Sequence, residues 1–411
     1  MRFEGLQAGS ASKGRGRRRF LLWALIVGAS LGPAPIQEQA QAHSSAQKQL
    51  TLDRRFPEAF GMVGPLRELS DGRVMVADPL GQVLAVIGFE SNRADTLGRQ
   101  GEGPNEYGQP DAVFPLAGDT TLLVDLGNAR LTTIDPEGRF LNSIPMGQET
   151  ASGGLIVALP RGVDENGRLY FRSEARPMGA YPDSAALLRF DPSTRSLDTL
   201  ALLKVPELPP PPLPGGGGRR GKAAEPQDDW AVGPDGSVAI IRSGDYSVQW
   251  VSPGGGISAG PKHDYEAVPI RDAEKERWVA EQGGSRVRMA SDGAGTVAVF
   301  RSGEERGQTV IHMYDWPRVF PAAKAGGSQV APNGEVWVAR YTAAEEAPLI
   351  DRFNREGKHI GEVRLPIGRR VGGFGRGRVF LVFTDEYGLE WIEAYRWEAG
   401  PTALEACTAF A

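Results

Sequence analysis

A short alternation of polar and apolar positions recurs along this chain. A polar turn ending in Gly is followed by about five mostly apolar residues rich in Val, Leu and Ile, then by a charged or polar residue. The copies are Asp71-Gly72-Arg73-Val74-Met75-Val76-Ala77-Asp78, Asp119-Thr120-Thr121-Leu122-Leu123-Val124-Asp125, Asn166-Gly167-Arg168-Leu169-Tyr170-Phe171-Arg172, Asp235-Gly236-Ser237-Val238-Ala239-Ile240-Ile241-Arg242 and Asn333-Gly334-Glu335-Val336-Trp337-Val338-Ala339-Arg340. Runs this short, bounded by Gly, Asp and Asn, read as β-strands leaving tight turns.

The first three copies begin at residues 71, 119 and 166, a spacing that matches one blade of a β-propeller. Further alternating runs complete strand-turn-strand series over residues 64–97, 112–145, 155–205, 229–265, 327–365 and 371–397. The expected fold is therefore all-β: a six-bladed propeller of four-stranded antiparallel blades, within residues 49–400. Gln49-Leu50-Thr51-Leu52-Asp53 alternates like a strand and is expected to complete the last blade, closing the ring and removing open sheet edges. Two stretches break the pattern. Residues 206–228 hold a Pro run and four consecutive Gly, which favours an exposed connection. Residues 266–320 begin with a helix-like run around Asp272, Glu274, Lys275 and Trp278. They continue with Thr296-Val297-Ala298-Val299-Phe300 and Thr309-Val310-Ile311-His312-Met313-Tyr314, read as a hairpin inserted between blades four and five, with a seventh blade as the alternative.

The N-terminus changes the picture before any chemistry is sought. Arg15, Arg17, Arg18 and Arg19 precede an apolar run from Phe20 to Gly32, and Ala40-Gln41-Ala42 forms a cleavage site, so residues 1–42 read as an export signal followed by a linker at 43–48. The Arg17-Arg18-Arg19-Phe20-Leu21 run also resembles a twin-arginine signal, although the general secretory route is favoured. The expected location is periplasmic or extracellular, with no stable membrane insertion after cleavage. The mature chain carries 40 Lys and Arg against 49 Asp and Glu, a net charge of -9 that disfavours nucleic acid and anionic membrane surfaces. The single cysteine, Cys407, lies in a C-terminal tail at 401–411 and excludes an internal disulfide.

Two stretches resemble a known family. Asp125-Leu126-Gly127-Asn128-Ala129-Arg130-Leu131 is similar to the NHL-repeat phrase D-x-x-N-x-R-I. Gly98-Arg99-Gln100-Gly101-Glu102-Gly103-Pro104-Asn105-Glu106-Tyr107-Gly108-Gln109-Pro110 resembles the linker between blades of exported bacterial six-bladed propellers of the NHL-like type. Gly388 to Arg396 also looks like the last strand of such proteins. Blade one, with Asp78-Pro79-Leu80-Gly81, lacks the Asn and Arg of the phrase. The resemblance implies a six-bladed propeller. It leaves function open, because the architecture includes metal-dependent lactonases and lyases as well as binding proteins.

The second strands of a propeller end on one face, around the mouth of the central channel. Asp78, Asp125, Arg172, Arg242 and Arg340 are expected there, with Asp385 nearby and Glu106 and Tyr107 joining from the linker. Such a mixed ring can grip carboxylates or sugar hydroxyls through bidentate arginines, or can serve as turn caps and ion pairs between blades. His43, His263, His312 and His359 are scattered in the sequence and none falls at a channel position, which discourages zinc. A Ca2+ ion on Asp78, Asp125 and Asn128 is conceivable, but no catalytic residue is assigned. The one G-x-S-x-G, at Gly28 to Gly32, falls inside the signal. Trp230, Trp250, Trp337 and Trp391 are expected to pack the blades rather than stack on sugars. The expected function is non-catalytic binding of a glycan, peptide or protein through the channel face by a monomer. The alternatives are a lactonase-like hydrolase with a divalent ion in the channel, and a scaffold module of the cell envelope.

Overall fold

Each glycine of the recurring phrase closes a turn between the first and second strands of a sheet. Gly72, Gly167, Gly236 and Gly334 have φ of 86°, 77°, 82° and 84°, a left-handed conformation open to a residue without Cβ. The N–H of each donates to the carbonyl oxygen three residues earlier, at 2.9 to 3.0 Å. The computed structural model describes residues 50–173, 183–206, 221–282, 285–291, 297–303 and 311–397. Residues 1–42, expected to be an export signal, the expected linker at 43–48, the Pro/Gly run and Cys407 lie outside the described residues.

Six four-stranded antiparallel sheets follow one another in chain order over residues 67–96, 110–145, 162–204, 229–259, 329–364 and 369–396. The innermost strand of each lies beside that of the next, and the ring closes between the first sheet and the last. Thr51–Arg55 supplies the fourth strand of blade six, antiparallel to Glu390–Arg396, as its alternation predicts. The chain is a six-bladed β-propeller.

The ring explains why the second strands are apolar almost throughout. A blade is buried on both faces, so alternate side chains enter different clusters. Val74 and Val76 pack with Phe380 and Val382 of blade six, whereas Met75 and Ala77 pack with Val113 and Leu123 of blade two. One such hydrophobic cluster fills each of the six blade interfaces. Trp230, Trp250 and Trp337 are buried in them, which leaves their faces unavailable to a sugar.

The segment after blade four is an insertion and not a seventh blade. It holds the helix Asp272–Gln282 and a two-stranded sheet in which Ser285–Ser291 pairs only with Val297–Gly303. Of the strand expected over residues 309–314, the first two residues lie outside the described ones, Ile311–Met313 is a single 3-10 turn, and Tyr314–Asp315 pairs in parallel with Gly221–Lys222. Aromatic packing accounts for this, because Tyr314 and Trp316 meet the Trp278 ring edge to face at 5.1 and 5.3 Å. The neck of the insertion is closed by an antiparallel bridge between Pro269 and Val319. Among the described residues no helix is long and apolar enough to cross a membrane.

Candidate functional site

The two ends of the ring differ. Turns between first and second strands, and between third and fourth, are tight and lie at one end. At the other end lie the turns between second and third strands and every connection from blade to blade. These include the linker 97–109, the segment 146–161 with its own hairpin of Gly147–Glu149 and Leu155–Val157, and the described residues that lead from blade three to blade four and from blade four into the insertion. Chain direction alone puts Asp78, Asp125, Arg172, Arg242, Arg340 and Asp385 at this connection end, with Glu106 and Tyr107 in its linker.

Most of these side chains hold backbone in place. Asp78 is buried, and its two carboxylate oxygens accept the backbone N–H groups of Gly61, Met62, Leu80 and Gly81 at 2.7 to 3.1 Å. Asp125, also buried, accepts the N–H groups of Gly108, Gln109 and Asn128, the Asn128 side-chain amide and Arg130 Nε. A carboxylate offers roughly four lone-pair sites, so both are filled by donors. Asp385 caps its own turn through the N–H groups of Tyr387 and Leu389 and takes the Trp391 indole N–H at 2.9 Å.

The segment from Asp125 to Leu131 acts as a clamp on the linker. Asn128 donates to Gly101 O, and Arg130 donates to Glu102 O and Glu106 O. Glu106 accepts Gly103 N–H and Arg99 Nε. The hydrogen bond from Gly103 and the ion pair with Arg99 hold its carboxyl below the usual range. The Tyr107 hydroxyl, buried, accepts Leu84 N–H from blade one. Gly108 and Gly127 pass so closely that a Cβ on Gly108 would lie 2.7 Å from Gly127 backbone.

The arginines are equally engaged. Arg242 donates to Gln249, Asp228 and Leu202 O. Arg172 is exposed at the end of Leu169–Arg172. Arg340 is buried, donates to Asp351 Oδ2 at 2.8 Å and to Ala322 O, and lies over the rings of Tyr246 and Tyr265 at 5.3 and 5.1 Å. Arg340 and Arg242 therefore cannot grip an added carboxylate through those atoms without releasing internal partners, which narrows the role expected for them from sequence.

Beside Arg340 is a cluster that the sequence does not reveal. Asp351, fully buried in Leu349–Phe353, also accepts the Tyr246 hydroxyl on Oδ2. His359, first residue of the next strand, and His263, just beyond blade four, stack their rings at 4.0 Å and 16°. Burial and the neighbouring His359 lower the His263 pKa. Burial would raise the Asp351 carboxyl, but His359, Arg340 and Tyr246 together hold it below its ordinary value, and burial beside Asp351 pushes the Tyr246 phenol far up. Among the described residues, His263, Asp351 and His359 are the one group of His, Cys, Asp and Glu with ligand atoms close enough to share a metal ion. The scattering of the histidines in sequence is thus undone by the fold, though at a blade interface and not in the channel.

No protein-family profile matches the chain, and no curated protein sequence matches it. Similar solved structures include a member of the duf4221 family from Bacteroides vulgatus, with TM-score 0.46 and 12% identity over 86% of this chain and 98% of that one. Others are the calcium-binding protein regucalcin from Agrobacterium tumefaciens (0.36, 13%, 85% and 97%) and a gluconolactonase from Xanthomonas campestris (0.36, 12%, 84% and 95%). At such identities the likeness stops at the fold, and it is the six four-stranded sheets of this chain that make it a six-bladed β-propeller.

Proposed function

We propose that this protein is an exported binding module that captures a protein or peptide partner on its connection end and performs no chemistry there. The observation that carries the reading is the distribution of exposed apolar side chains. Of the twelve large hydrophobic residues exposed among the described residues, eight sit on connections at this end, including Leu80, Leu155, Tyr265, Ile367 and Tyr387; the other four lie on outermost strands, and none on the tight turns of the opposite end. Scattered exposed apolar residues need no explanation, but their segregation to one end does. Ring carboxylates filled by internal donors support a framework role: an ion on Asp78 or Asp125 would have to displace backbone caps.

The test compares two sets of substitutions in the mature protein by cross-linking in an envelope fraction of its own host. Leu155→Asp with Ile367→Asp and Tyr387→Asp is expected to abolish cross-links to the partner, whereas Leu141→Asp with Ile257→Asp on outer strands leaves them unchanged. Equal effects from both sets, or lactone turnover that depends on an added divalent ion, would overturn the reading in favour of a non-specific surface or a channel hydrolase.

A further inference from the structure

Unpartnered polar atoms of two ionisable side chains meet behind Arg340, where blade five meets the root of the insertion. Asp351 Oδ2 is taken by Arg340 and Tyr246, yet Asp351 Oδ1 and His359 Nε2 are closed off from solvent and neither has a hydrogen-bond partner. They face each other at 3.5 Å. A buried carboxylate oxygen without a donor is unfavourable, and native structures leave few such groups unexplained. The ligand atoms of His263, Asp351 and His359 all lie within 4.8 Å of one another.

These distances suit a small cation. A tetrahedral zinc with bonds of about 2.0–2.2 Å sets its ligand atoms about 3.4 Å apart. The separation of Asp351 and His359 is close to that value, and His263, half-buried at the edge of the cluster and stacked on His359, has to turn out of the stack and close by at most about 1.4 Å to complete three ligands. Two imidazoles and one carboxylate match zinc in ligand type, whereas calcium takes six to eight oxygens. Arg340 and Tyr246 hold the other carboxylate oxygen and so aim Oδ1 at the gap, as partners behind a metal ligand do. The positive charge of Arg340 opposes a cation, and Glu362, paired with Asp351 across the strands, offsets it.

We propose that His263, Asp351 and His359 bind one zinc ion, with a fourth position left for water. His263 leads from blade four into the insertion, while Asp351 and His359 belong to adjacent strands of blade five. The ion would therefore pin the root of the insertion to the ring, independently of what the connection end binds.

The experiment uses the untagged mature protein, stripped with chelator and then titrated with zinc chloride, or with cobalt chloride as a spectroscopic probe. One equivalent of zinc is expected to bind and raise the melting temperature, and cobalt is expected to give the intense visible bands of a four-coordinate site. His263→Ala and His359→Ala should each weaken zinc by at least about 100-fold, and Tyr246→Phe, which keeps the packing, by about tenfold. His312→Ala, an exposed residue elsewhere in the insertion, should leave binding unchanged. Absence of saturable uptake, a weak six-coordinate cobalt spectrum, or full-strength binding by Tyr246→Phe together with either folded histidine variant would overturn the proposal.

Discussion

Gly72 and Gly236 hold the same place in the same turn, at φ of 86° and 82°, but their surroundings differ. A Cβ on Gly72 would meet nothing within 4 Å, whereas one on Gly236 would lie 2.7 Å from Asp164 Oδ2 and Arg168 Nη2 and 2.9 Å from the Tyr170 hydroxyl. Gly72→Ala thus isolates the left-handed backbone and is expected to cost about 1–2 kcal/mol. Gly236→Ala adds intrusion into a buried hydrogen-bonded group and is expected to cost about 3 kcal/mol, and urea unfolding of the two variants would measure the difference. The turn at both positions is legible in the sequence, because Asp-Gly between apolar runs signals it. The neighbour that makes one glycine stricter is not, since Asp164 and Tyr170 come from blade three and reach Gly236 of blade four only in the folded ring. Asp125 teaches the same lesson. Its position at a strand end follows from the repeat, but its engagement by the linker and by Asn128 and Arg130 emerges only from the tertiary contacts.

Among the elements, Thr51–Arg55 holds the ring closed, and Glu393 on its partner strand is the centre of that closure. Glu393 is buried and accepts Arg55 Nε at 2.8 Å, Arg369 at 3.0 and 3.1 Å, and the Tyr395 hydroxyl at 2.9 Å, while Asp53 pairs with Arg396 at 2.9 Å nearby. Burial would raise the Glu393 carboxyl, but Arg369, Arg55 and Tyr395 bring it below 4.5, and burial with the Glu393 bond pushes the Tyr395 phenol up to about 12. A depressed carboxylate stabilises the fold fully above its unfolded pKa and loses that contribution as pH falls through its folded pKa. Glu393→Gln is therefore expected to cost about 3 kcal/mol at neutral pH, with the gap from the parent protein narrowing below pH 4.5. Urea midpoints for both proteins between neutral and acid pH would measure it, and a gap independent of pH would exclude the ionic closure. The pairing of first and last strands is legible from alternation and from the need to remove a sheet edge. The charge cluster is not, because Arg55, Arg369 and Glu393 lie in separate parts of the chain.

For the whole molecule, the insertion is tied at its base to blade five, where Arg277 donates to Ala343 O at 2.8 Å, Glu274 accepts the Ala344 N–H at 3.0 Å and Phe320 stacks on Tyr341 at 4.3 Å. Its aromatic cluster of Trp278, Phe320, Tyr314 and Trp316 is distinct from the six blade interfaces, and Ile270 N–H donates to Arg318 O across its neck at 3.0 Å. Replacing residues 271–317 by two glycines uncovers Phe320 and Tyr341 and is expected to lower the melting temperature by at least about 4 °C, while partner capture persists because Leu80, Leu155, Ile367 and Tyr387 lie outside the replaced residues, as calorimetry and the cross-linking assay would report. A collapse of the melting transition would mean instead that the ring depends on the insertion. The sequence alone carries the repeating framework: six blades, the closing strand, the tight Gly turns and the end at which candidate polar residues gather. It could do so because hydrophobic periodicity and turn chemistry are local, and a propeller repeats them at a fixed interval. What those residues do depends on the folded ring. It filled Asp78 and Asp125 with backbone donors, buried Arg340 against Asp351, and brought His263 to His359. Such meetings depend on which blades become neighbours and on where the insertion re-enters the ring, and no spacing along the chain encodes them.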